Sequence, residues 1–157
     1  MQNYWKTALT LAMAWFVLPM SLGAQPALST LVADKWAENE HWYDGKAEMA
    51  TYAGERVIYG ESRAHTHRLI TVSEDFNKEY WTKADWPYAD KPILPVIKQN
   101  QVATVPTPNY PYHYMNSVFF DRAKLDHAVK LVSTSQEWCG TTLREFQLHK
   151  DPAHYVY

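Results

Sequence analysis

From Lys46 onward the apolar residues recur at every second position in short runs, the spacing of strands that turn one face inward. Runs over 46–52 and 56–59 read as strands around Gly54, either separate or joined as one long strand carrying a glycine bulge. The run 64–72 alternates most strongly. Ala64, Thr66, Ile70 and Val72 fall on one side, and His65, His67 and Leu69 on the other. Arg68 breaks the first side near the strand centre, a placement that core packing does not explain. Residues 73–91 are polar and Trp-rich, with Asp-Trp-Pro and Asp-Lys-Pro breakers, and read as a long surface loop or capping helix. A strand over 93–98 contains Pro95, which assigns it to a sheet edge. Three prolines make 105–111 a connector, and strands follow over 112–120, 129–135 and 143–149. The links between these last three are too short for crossover helices, so neighbouring strands pair antiparallel.

Upstream the period changes. Leu28, Leu31, Val32 and Trp36 stand at helical spacing and predict a short amphipathic helix, which the Asp44-Gly45 turn signal closes off. Residues 1–24 carry one cation, Lys6, no acidic residue, an apolar stretch from Ala8 to Leu18, and small residues at Ser21, Gly23 and Ala24. That is the layout of a cleaved secretory signal peptide. Pro19 interrupts the stretch before it reaches the roughly 20 apolar residues of a membrane span, so no integral span is expected after cleavage.

A single β-rich domain over 25–157 follows, with the antiparallel strands forming a curled sheet or partial barrel behind the short helix. Closure toward a barrel is preferred over a sandwich, with Gly54 and Gly60 supplying the bends. About 130 mature residues can still bury about two-thirds of their unfolded surface. The C-terminal His154-Tyr155-Val156-Tyr157 is strand-forming rather than polar, which suggests a chain that continues.

The 157-residue chain has a formal net charge of −2, made more negative by loss of Lys6, and no basic run. This argues against nucleic acid and anionic membrane surfaces as partners. Cys139 is the one cysteine, so an exported chain can have no internal disulfide and must be held by packing, for which Trp36, Trp42, Trp81, Trp86 and Trp138 and ten tyrosines beyond the leader provide material.

Several stretches together resemble one family of exported bacterial proteins of unestablished activity. They are Trp42-Tyr43-Asp44-Gly45-Lys46-Ala47-Glu48, residues 53–61 around Tyr59-Gly60-Glu61, Val72-Ser73-Glu74-Asp75-Phe76, Lys83-Ala84-Asp85 with Pro87, Pro95-Val96-Ile97-Lys98, Tyr110-Pro111-Tyr112 with Met115 and Ser117-Val118-Phe119, and Ser135-Gln136-Glu137-Trp138-Cys139-Gly140. Members resemble one another over a longer chain than this one. Some carry the label "septum formation inhibitor Maf", which would imply a cytoplasmic nucleotide pyrophosphatase. This chain lacks the Ser-x-Ser-Pro-Arg signature of that enzyme and carries an export signal, which argues against the label; because the family has no accepted catalytic residues, the resemblance implies fold and location only.

The spacing of the glycines permits neither a dinucleotide fingerprint nor a P-loop, and no Gly-x-Ser-x-Gly elbow is present. No cofactor is implied. Trp138-Cys139-Gly140 is similar to the first half of a thioredoxin-type motif, but position 142 is Thr, leaving only a monothiol nucleophile with His127 or His113 as candidate base. The competing reading of Cys139 is a small buried apolar residue at a strand end. His65 and His67 share a strand face at metal-chelating spacing, with the third ligand to come from His41, His113, His127, His149, His154 or a carboxylate. Glu48, Glu55 and Glu61 fall within one hairpin and are candidates for paired carboxylates, although wet-face glutamates look the same. Tyr110, Tyr112, Tyr114 and Trp138 are the candidate ligand-binding residues, and with Phe119 and Phe120 either line or fill the interior.

The leading expectation is a non-enzymatic, periplasmic or extracellular module that binds an apolar small molecule or an envelope protein. A Cys139 hydrolase or transferase is the alternative, and metal binding through His65 and His67 the third.

Overall fold

The computed structural model describes residues 35–88, 90–149 and 154–156. The leader at 1–24 and most of the helix expected from Leu28 lie outside them. What is described there is two short 3-10 turns, Trp36–Glu38 and Glu40–Tyr43. Among the described residues no helix is long and apolar enough to cross a membrane.

The strands are β1 (Glu48–Ile58), β2 (Glu61–Asn77), β3 (Thr82–Lys83), β4 (Ile93–Val105), β5 (Tyr112–Asp121), β6 (Lys124–Glu137), β7 (Gly140–Gln147) and β8 (His154–Val156). They form one antiparallel sheet in the order β1-β2-β4-β5-β6-β7-β8, with β3 pairing β2 beyond the start of β1. The protein is therefore mainly β, as its periodicity predicts. The preferred closure is corrected: the sheet is curled and not closed into a barrel, with β1 and β8 at its ends.

Neither glycine plays the part expected of it. Gly54 sits in unbroken register opposite His65, with no bulge. A Cβ there would come within 3.2 Å of the His65 ring, so the missing side chain makes room for the imidazole. Gly60 and Tyr59 both have positive φ, 78° and 55°, and form the two-residue turn between β1 and β2, the geometry that matches strand twist.

β2 extends through polar sequence read as loop, and β4 through polar residues beyond the strand expected over 93–98. β2 continues from Ser73 to Asn77 because Glu74 finds Lys98 on the neighbouring strand at 2.9 Å, while Phe76 enters the core. β4 continues through Gln99, Asn100 and Gln101, where Ser117 Oγ donates to Asn100 Oδ1 at 2.7 Å. Pro95 stands in this interior strand rather than at an edge. At its position the ladder to β5 is already ending: Arg122 N–H donates to the Pro95 carbonyl, and the return bond that proline cannot make falls at the β5–β6 turn. On the other side, Asp75, opposite Pro95, gives its carbonyl to Ala84 N–H.

The two faces of the sheet are packed separately at the end where β4 begins. One carries Phe76, Val96, Phe119 and Val129, the last being the residue skipped in register between Ala128 and Lys130. Trp81 covers this cluster, stacks on His149 at 3.3 Å and accepts Lys130 Nζ at its carbonyl. The other face carries Ile97, covered by Ala37 and Trp42 of the 3-10 turns, with Trp42 Nε1 donating to the Trp36 carbonyl at 3.1 Å.

With so small a core, each large member should matter. Phe76→Ala is expected to lower unfolding free energy by about 3–5 kcal/mol, whereas Val57→Ala, at a side chain 69% exposed, should stay within about 0.5 kcal/mol. Urea denaturation of both variants checks this, and equal small shifts would contradict the assigned core.

Candidate functional site

Alternation decides which side chains meet. Tyr52, His67, Ala103, Tyr114, Ser135 and Thr142 are successive cross-strand partners from β1 to β7, and therefore stand on one face. Arg56, two rungs from Tyr52 in β1, and Arg144, one rung from Thr142 in β7, share it. His113 and Met115 alternate to the opposite face.

This face is concave. In a flat sheet β1 and β5 would lie three strand spacings apart, about 14 Å. Yet the Arg56 guanidinium lies 4.0 Å over the Tyr114 ring, and the Tyr59 and Tyr112 hydroxyls are hydrogen-bonded to each other. Only a sheet bent toward this side brings those groups together. Ala103, small and buried, sits between the larger side chains of the rung.

The four aromatics expected to bind ligand form one continuous row. Trp138 stacks on Tyr110 at 5.5 Å, Tyr110 packs on Tyr112 at 5.7 Å, and Tyr112 stacks on Tyr114 at 6.0 Å. Tyr59 joins at its edge, 6.3 Å from Tyr112. Phe119 and Phe120 do not take part: Phe119 belongs to the Phe76 cluster at the other end of the sheet, and Phe120 lies opposite Ile97. Trp138 is 81% exposed, so the row has an open end.

Cys139 lies beside that open end, in the two-residue turn between β6 and β7. It is exposed, which corrects the reading of a buried strand-end residue. No helix begins there, so the acidifying dipole of a thioredoxin-type site is absent from the turn. Its Sγ is 2.9 Å from the Tyr110 hydroxyl. Neither candidate base meets it. His113 is on the opposite face, with Nδ1 3.1 Å from Thr104 Oγ1. His127 belongs to the far end of β6, on the order of 30 Å away by strand rise.

His65 and His67 point to the concave face with ring centroids 6.3 Å apart. Among the described residues no three His, Cys, Asp or Glu side chains stand together as a metal site. The three glutamates do not converge: Glu55 accepts from Ser62 Oγ at 2.7 Å, Glu61 holds Arg63 at 2.6 Å, and Glu48 is at the other end of β1.

The sequence reading missed Arg56, Arg144, Ser133 and Thr142. Alternation within β7 puts Thr142, Arg144 and Phe146 on one face, a signal that was present. What it did not contain was the bend that carries Arg56 across three strands.

The row also changes its own chemistry. The thiol of Cys139 pushes the Tyr110 hydroxyl from an ordinary 10.0 up to about 12, and the Tyr59 hydroxyl, followed by the Glu137 carboxylate, raises Tyr112. A tyrosine that resists ionisation in the folded state contributes stability in full below pH 10, and loses it as pH rises through 12. An ultraviolet absorbance titration should find Tyr110 protonated where a free tyrosine is half ionised, and Cys139→Ala should bring it back toward 10.0. Unchanged titration in that variant would contradict the contact. Compared with protein-family models, curated proteins and solved structures, the chain matches none.

Proposed function

We propose that this is an exported, non-enzymatic binding protein of the cell envelope, whose concave face takes a ligand with an apolar or planar body along the aromatic row. The continuous stack from Trp138 to Tyr114 carries this reading. Rings packed in an offset stack, Tyr112 and Tyr114 on β5 with Tyr110 and Trp138 on the flanking connector and turn, present wide apolar area with little side-chain freedom left to lose, which favours binding without remodelling. The hydroxyls at the rims give the surface polar handles as well. The export signal pattern at 1–24 supports an envelope location.

Catalysis has less support. A nucleophile needs an adjacent base and an orienting group, and the neighbour of Cys139 is a tyrosine hydroxyl held protonated.

Two measurements test the reading. A neutral naphthylamine dye should bind with a change in Trp138 fluorescence, and Tyr112→Ala or Tyr114→Ala should weaken binding about tenfold, equivalent to about 1.4 kcal/mol. Dye affinity indifferent to both substitutions would overturn it. Residues 1–24 fused to a reporter enzyme should direct it out of the cytoplasm, with the leader removed at Gly23 or Ala24. A reporter retained inside would remove the envelope assignment.

A further inference from the structure

Among the described residues the sheet has one long free edge. Its order ends on β1 at one side and on the three-residue β8 at the other. β1 runs Glu48–Ile58 in unbroken register with β2 and contains no proline, lysine or bulge, devices that keep an edge from pairing with a further strand. Every residue of it except Ala50, Gly54 and Ile58 is exposed, so no described element covers its outer side. Charged side chains also guard an edge, but only against a strand that does not match them.

The direction of the unpaired backbone groups limits what can match. The Tyr59-Gly60 turn closes on the pair Ile58 and Glu61, so every second residue from Ile58 back to Glu48 gives its N–H and C=O to β2. Met49, Thr51, Ala53, Glu55 and Val57 turn theirs outward. A second copy of β1 laid antiparallel bonds only where outward residues face outward residues, which requires a two-fold axis passing through a residue. With the axis at Tyr52, Glu48 of each copy stands directly opposite Arg56 of the other. With the axis at Thr51, Lys46 would oppose Arg56, and at Ala53 neither charge meets its opposite.

Both members of that match are open to it. Among the described residues Glu48 and Arg56 enter no ion pair. Arg56 faces Arg63 across the β1–β2 ladder, a like-charge pairing in which Arg63 is offset by Glu61 at 2.6 Å and Arg56 by no carboxylate. Its contact with Tyr114 takes the flat face of the guanidinium and leaves the N–H edges. Tyr52, itself exposed, would meet its own copy at a non-hydrogen-bonded pair, where side chains approach most closely.

We infer that β1 is an interface between two copies of this chain, joined edge to edge about a two-fold axis at Tyr52. Each copy adds a strand to the other's sheet, and the axis, perpendicular to the sheet, sets both concave faces on the same side. The interface stands whether or not that face takes the ligand proposed for it.

Sedimentation velocity of the whole protein over a wide concentration range should show a monomer–dimer equilibrium. Ala53→Pro removes an outward N–H without touching the β2 ladder and should leave only monomer. Glu48→Lys and Arg56→Glu each set like charges opposite one another and should weaken dimerisation at least about tenfold. Mixed in equal amounts, these two variants should recover a dimer with one copy of each, because both cross-strand pairs are then of opposite sign; recovery also shows that both variants are folded. Monomer at every concentration overturns the inference, and protected Thr51 and Ala53 amides in hydrogen exchange would then give the edge to another segment of the same chain. A dimer that survives Ala53→Pro, or one that the mixture fails to restore, overturns it as well, by assigning association to a different surface or register.

Discussion

The bend of a single antiparallel sheet is the constraint from which the rest follows. Among the described residues, eight strands hydrogen-bonded in nearly sequential order have no second layer to close against, and face packing at the start of β4 consists of two small clusters. At the opposite end the sheet curls on itself. Contacts of β1 and its turn with β5, Arg56 on Tyr114 and Tyr59 with Tyr112, span strands that are not neighbours in the ladder. They do for this end what a covering helix does elsewhere: they keep one face partly from water without burying it.

That division explains why the candidate site sits where it does. The Phe76 and Trp42 clusters supply dry, well-covered apolar packing, which fixes the long strands β2 and β4. The concave end is held instead by aromatic and cationic side chains that remain half open. Surfaces of this kind keep aromatic faces and polar groups within reach of solvent.

Much of the strand content was legible because alternation is local. The runs over 64–72 and 112–120 appear as parts of β2 and β5, and the row Tyr112, Tyr114 follows from two-residue spacing alone. Polar interior stretches were not legible. Glu74 looks like loop, and the segment 99–101 carries no strand signal, until their cross-strand partners, Lys98 and Ser117, are known. Pro95 misled for the same reason, since its tolerance depends on where the adjacent ladder stops. The joining of Tyr110 and Trp138 to the row, and of Arg56 to Arg144, depends on turns and curvature that no single strand encodes.

The curvature itself is open to direct measurement. In a sheet bent as described, the Arg56 side-chain protons lie over the Tyr114 ring, so proton NMR should show them shifted upfield by the ring current, with cross-relaxation to the Tyr114 ring protons. Both effects should disappear in Tyr114→Ala. Arg56 resonances at ordinary positions, without any such cross-relaxation in the unsubstituted protein, would mean that β1 does not reach β5 and that the concave face does not exist.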